Sequence, residues 1–183
     1  MALEGVPLEK LVFLDECGFA LNLHRLYGWA PRGERCFEAV PFNKGKNRSV
    51  LGAYSWPGDQ NPTGLWALWQ RLGAWKGDTF EEFVEEALLP QLPQGSILIM
   101  DNARIHHRPT LHKKVEAAGC RILYLPPYSP DFNPIELVWS WLKDQVRLLA
   151  PRTDEQRQHD IQNTAALLPA HAAKGWFQLC GIL

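Results

Sequence analysis

The chain of 183 residues carries 19 Lys and Arg against 20 Asp and Glu, for a formal net charge of −1, and 46% of its residues are hydrophobic. That length suits one domain burying about 70% of the surface its unfolded chain exposes, and no run approaches the roughly 20 uncharged apolar residues of a membrane span. The first ten residues lack an export signal's basic start and apolar core, and Cys17, Cys36, Cys120 and Cys180 are scattered without CxxC pairs. A cytoplasmic protein with reduced thiols and no membrane partner is expected.

In chain order, residues 11–14 form an unbroken apolar run that stops at Asp15, the pattern of a strand buried on both faces. Residues 35–40 and 49–55 are shorter β-like pieces on either side of a turn rich in Asn and Gly, and predict a hairpin beside the first strand. The stretch 57–78, with Trp66, Trp69 and Trp75 among glycines and prolines, shows no clear period and reads as an irregular connection. Thr79-Phe-Glu-Glu82 has the form of a capping box, followed by Phe80, Phe83, Val84, Ala87 and Leu88 at helical spacing up to Pro90.

A second apolar run, 97–100, stops at Asp101, and residues 110–118 predict a helix closed by Gly119. Residues 122–125 form a third apolar run. Asn133 followed by Pro134 then opens a last helix, whose buried stripe is Ile135, Val138, Trp139, Leu142 and Val146, while Glu136, Lys143 and Arg147 project along another stripe. The apolar runs predict a largely parallel central sheet. The order of elements suits an α/β fold of ribonuclease H-like kind, with a mixed five-stranded sheet flanked by helices.

Three acids stand out against this frame. In an open α/β sheet, groups at the carboxyl ends of neighbouring strands share a crevice, which brings Asp15 and Asp101 together, and 34 residues separate Asp101 from Glu136. Two carboxylates about 4 Å apart repel by roughly 4 kcal/mol at an effective dielectric near 20, so such a cluster must protonate or recruit a cation. Mg2+ or Mn2+, hard ions that prefer oxygen ligands, would resolve the conflict, and a pair of them supports in-line phosphoryl transfer on nucleic acid. Asp131 lies near Glu136 in the same Pro-rich segment, but the helix N-terminus favours Glu136. Glu16, on a strand, points away from Asp15 and takes a structural or hydrogen-bonding role.

Charge is segregated along the chain. Residues 25–48 hold six Lys and Arg against two acids, and residues 104–121 form a second basic tract with three histidines, while acids pool at 78–86 and 154–160. Arg32, Lys44, Lys46 and Arg48 are candidate contacts to DNA phosphates, with Trp29 stacking on a base. Asn102 is a candidate for orienting the Asp101 carboxylate or a metal-bound water, and His106 for touching the scissile phosphate or the attacking water.

Four segments carry a family resemblance: Leu11-Val-Phe-Leu-Asp15-Glu-Cys-Gly-Phe19, Gly28-Trp-Ala-Pro-Arg-Gly33, Met100-Asp-Asn-Ala-Arg-Ile-His-His107 and Leu125-Pro-Pro-Tyr-Ser-Pro-Asp-Phe-Asn-Pro-Ile-Glu136. Together they resemble the catalytic domain of DDE transposases of the mariner-like superfamily, in its bacterial insertion-sequence branch, and Gly175-Trp-Phe-Gln-Leu-Cys-Gly181 is similar to the ending such chains carry. The resemblance implies that Asp15, Asp101 and Glu136 bind two metal ions (Mg2+ or Mn2+) and cut transposon ends for transfer to target DNA. It also implies double-stranded DNA as partner and a homodimer as the working form.

Family members usually carry an N-terminal helix-turn-helix module that reads the terminal repeats. No such pattern precedes Leu11, so residues 1–183 are expected to form a single catalytic domain without it, as a fragment or a separate reading frame of a split element. Two other functions fit the same residues. One is a ribonuclease H-like nuclease acting on RNA–DNA hybrids, and the other is a catalytically idle remnant that only binds DNA or a partner.

Overall fold

A computed structural model describes residues 5–25, 27–39, 42 and 45–183. Its centre is a five-stranded sheet in the order β3-β2-β1-β4-β5, with β1 Leu11–Phe19, β2 Arg48–Tyr54, β3 Leu65–Leu72, β4 Ile97–Met100 and β5 Arg121–Tyr124. β1 pairs antiparallel with β2, and β2 with β3, whereas β1, β4 and β5 run parallel. This is the mixed ribonuclease H-like sheet, and half of it is antiparallel where the apolar runs predicted a largely parallel one.

Strand alternation divides the core in two. Leu11, Phe13, Cys17 and Phe19 of β1 face one side, packed under α3 Pro134–Leu149, α4 Asp154–Ala165 and α5 Ala173–Leu179. Val12 and Leu14 face the other, under the helical segment that begins as α1 Gly77–Glu82 and under α2 Pro109–Ala117. Each large apolar side chain buried this way contributes about 1.5–3 kcal/mol, and on the first side Phe13 and Phe177 meet edge to face at 5.8 Å. Among the described residues, no helix is long and apolar enough to cross a membrane.

Four expectations need correction. Residues 35–39 form no strand, and the hairpin partner of β2 is β3, inside the stretch read as irregular. β3 is half-buried at nearly every position, so it shows no alternation of period two. Thr79 caps from within the helix: its hydroxyl accepts the Lys76 main-chain N–H at 3.1 Å, so α1 starts three residues early and then widens to π-helical winding over Phe83–Leu88. The helix at Pro134 is not the last. α4 follows behind the capping box of Thr153 and Gln156, and α5 closes the chain.

The segregated charges meet again in space. Arg108 of the second basic tract reaches Asp78 at 2.5 Å and Glu81 at 2.8 Å, and Lys114 reaches Glu81 at 3.0 Å and Glu85 at 2.5 Å, tying α2 to α1 and its continuation. Arg48 pairs with Asp154, which also accepts from Arg157. Much of the alternation of charge along the sequence is therefore internal neutralisation between packed elements.

Candidate active site

β1 is longer than β4, and this difference opens the cleft. The parallel pairing of the two ends at Phe13 and Ile99, after which β1 continues against β2 alone, with Asp15 opposite Gly52. Asp15 is thus inside a strand and not at its end, but it stands just past the point where β1 and β4 part. Asp101 follows the last residue of β4. Glu136 is the third residue of α3, where exposed N–H groups and the helix dipole favour an anion. The three acids line one cleft of about 380 Å³, whose other wall is the Pro-rich segment 125–130. Among the described residues they do not close into a ready three-donor cage.

Their electrostatics show how closely they share this space. Burial first, and the neighbouring Glu136 after it, raise the Asp15 carboxyl to about 7 against the lowering effect of the Glu16 main-chain N–H and the Trp139 indole. Glu136 is also raised, first by partial burial and then by Asp101, with Lys143 opposing. Hard oxygen donors that raise one another's proton affinity are the set a divalent cation relieves, so the residues fit Mg2+ or Mn2+.

Each aspartate has one oxygen already engaged. Oδ2 of Asp15 accepts the Nε1–H of Trp139 at 3.0 Å. Oδ1 of Asp101 accepts the Ala103 main-chain N–H at 3.0 Å and faces His106 Nδ1 at 2.7 Å. His106 is fully buried, with its ring 4.4 Å from that of Phe80, and its Nε2 lies 3.3 Å from Oε1 of Glu16. Burial lowers its pKa, but Glu16 and Asp101 outweigh burial and raise it.

His106 therefore sits beneath Asp101, where it cannot reach a phosphate in the cleft, so the expected phosphate contact is corrected to a hold on the Asp101 carboxylate. Glu16 points away from Asp15 and bonds, as its strand position predicted. Asn102 lines the cleft, and its Oδ1 is 2.5 Å from Nε2 of His107.

The DNA candidates separate. Arg32 and Lys46 are exposed, and Trp29 is fully exposed. Lys44 lies outside the described residues. Arg48 does not fit a phosphate contact: it is 5% exposed and its guanidinium is spent on Asp154. Its position at the start of β2 turns it inward under α4. Sequence reasoning missed a second role for Trp139, because a tryptophan in an apolar helical stripe reads as core and nothing in the periodicity marks where its N–H points.

Comparison with known proteins adds four findings. The family model described as DDE superfamily endonuclease matches residues 10–158. In the Mos1 mariner paired-end complex with Mn, the matching chain is 17% identical with a TM-score of 0.71 over 96% of this chain and 54% of that one. In the Mos1 transposase catalytic domain with Raltegravir and Mg, it is 15% identical with a TM-score of 0.66 over 97% of this chain and 82% of that one. An uncharacterized protein, y4pE/y4sA, of Sinorhizobium fredii is 41% identical over 49 residues, which is 27% of this chain and 34% of that protein. The chain thus spans about half of the Mos1 chain in the paired-end complex, and the stretch shared with the Sinorhizobium protein is about a third of that protein's length.

Proposed function

The chain belongs to the DDE superfamily of endonucleases, and from that premise we propose that it is the catalytic domain of a mariner-like DNA transposase, with Asp15, Asp101 and Glu136 as its metal-holding acids. The observation that carries this reading is the convergence of the three carboxylates on one cleft, with Asp15 pushed up to about 7 by burial and by Glu136. The Mos1 structures named with Mn and with Mg support the choice of ion. Held by Asp15, Asp101 and Glu136, two such ions would supply Lewis acidity for in-line attack of water or a 3′-hydroxyl on a phosphodiester.

The chain's own residues do the positioning. His106 and the Ala103 N–H fix Asp101, α3 presents Glu136 from its first turn, and the Pro-rich wall narrows the approach to the cleft. Arg32 and Lys46, on the exposed segment between β1 and β2, hold duplex phosphates, with transposon ends and target DNA as substrates. The working form is a homodimer in the cytoplasm that pairs two ends.

The test is cleavage of duplex DNA carrying the element's terminal repeats, in Mg2+ or Mn2+, beside an RNA–DNA hybrid of the same sequence. Duplex cleavage at the repeat ends supports the transposase reading. Cleavage of the hybrid alone points to an RNA-strand hydrolase, and DNA binding without cleavage of either substrate to an idle remnant.

A further inference from the structure

We propose that Trp139 is a positioning residue for the metal site, a strut that fixes Asp15 relative to Glu136 through its indole N–H; the inference rests on reading those two acids as metal ligands. Trp139 lies one turn after Glu136 on α3, so the two side chains are neighbours on the helix surface. The indole is 1% exposed and its Nε1–H donates to Oδ2 of Asp15 at 3.0 Å. Its six-membered ring enters a notch in the sheet at Gly52, where an added Cβ would lie 2.6 Å from Cη2. Gly52 is the residue paired with Asp15 across β1 and β2. The ring is thus held at both ends, by the glycine notch and by the carboxylate beside it.

Two consequences follow from chemistry alone. A buried indole N–H needs an acceptor, and here the acceptor is one of the acids lining the cleft. With Oδ2 committed to the indole, Oδ1 is the Asp15 oxygen left for a cation, as Oδ2 is for Asp101, whose Oδ1 holds His106 and Ala103. The same side chain also ties α3 to β1, so the separation of Glu136 from Asp15 is set by a rigid ring rather than by loops.

Packing and positioning are best separated in Trp139→Phe, which keeps an aromatic ring beneath α3 and deletes the donor. Outer-sphere partners of metal ligands are worth roughly 10–100-fold in metal affinity. Free Mn2+ measured by electron paramagnetic resonance, titrated into the intact chain, should show binding that Asp15→Asn abolishes and that Trp139→Phe weakens roughly tenfold, with Trp139→Phe still melting in a single cooperative transition well above the temperature of the titration. Mn2+ binding by Trp139→Phe as tight as that of the unaltered protein overturns the inference and leaves the site intact; absence of Mn2+ binding by the unaltered protein overturns the site and the inference together.

Should Trp139→Phe fail to fold, the indole N–H resonances of the 8 tryptophans give the answer without altering Trp139. One of them should move strongly in Asp15→Asn and on addition of Mg2+ to the unaltered protein. No displaced resonance in either case overturns the proposal.

Discussion

The cleft and the segment between β1 and β2 are built on opposite physical terms. In the cleft, each acid stands on or directly beside a regular element, and buried donors hold one oxygen of each aspartate. In the described part of residues 20–47 there is no helix or strand, and Tyr27, Trp29, Phe37 and Phe42 are 86–100% exposed. The base of this segment is secured by a buried cation. Arg157, 1% exposed, donates to the carbonyls of Phe19 at 2.8 Å and Lys46 at 3.0 Å, where the segment leaves and rejoins the sheet. The contrast teaches that geometry fixed to fractions of an ångström is carried by the sheet and α3, while reach is left to a segment tied at its two ends.

If that division is right, the largest effects come from the cleft. Asp15→Asn, Asp101→Asn and Glu136→Gln should each lower strand cleavage at least about 1,000-fold, the scale of losing a central electrostatic element, with circular dichroism spectra unchanged. Next comes the anchor between the two regions. Arg157→Ala leaves two carbonyls and part of Asp154 without their cation and should cost roughly 3 kcal/mol in chemical denaturation. A loss below about 1 kcal/mol would show that the base of the segment holds without it.

The cleft also predicts a pH dependence of stability. The folded-state pKa of Asp15 is raised, from 3.8 to about 7, so between those values the native state binds more protons than the unfolded one. Stability of the metal-free protein then falls as pH rises through that window and levels off above it. Asp15→Asn removes the charge that causes this fall. Its melting temperature should exceed that of the unaltered protein at pH 8 and match it at pH 4, as checked by thermal melts at both values.

The smallest effects belong to the exposed segment. Arg32→Glu and Lys46→Glu should weaken duplex binding only a few-fold, each reducing the salt dependence of log K by about 1 or more, with cleavage by bound protein unchanged. Arg48→Ala should act on folding instead, because Arg48 faces Asp154. A loss of DNA affinity in Arg48→Ala at unchanged stability would blur the line between the two regions.

What could be read in advance follows the same line. The buried strands around Asp15 and Asp101 and the first turn of α3 were legible because unbroken apolar runs and the Asn133-Pro134 start are local signals. β3 was not, since an edge strand half-buried along its length carries no alternation, and α4 was hidden because its buried face includes Arg157 and Thr164. The inward turn of Arg48 was invisible for a related reason: its partner Asp154 is 106 positions away, and only packing brings a basic tract onto an acidic one. His106 and Trp139 mark the limit of motif reading. The sequence placed both near the acids, but which atom of each ring meets which carboxylate oxygen is decided by the three-dimensional register of α3 and β1.

The central claim is that Asp15, Asp101 and Glu136 together hold a divalent cation. The most direct test is anomalous diffraction from crystals of the protein soaked in Mn2+. Manganese peaks between these three carboxylates, with Oδ1 of Asp15 and Oδ2 of Asp101 as ligands, are the predicted result. Three carboxylates left without manganese at a saturating concentration, or manganese held by other residues, would contradict it.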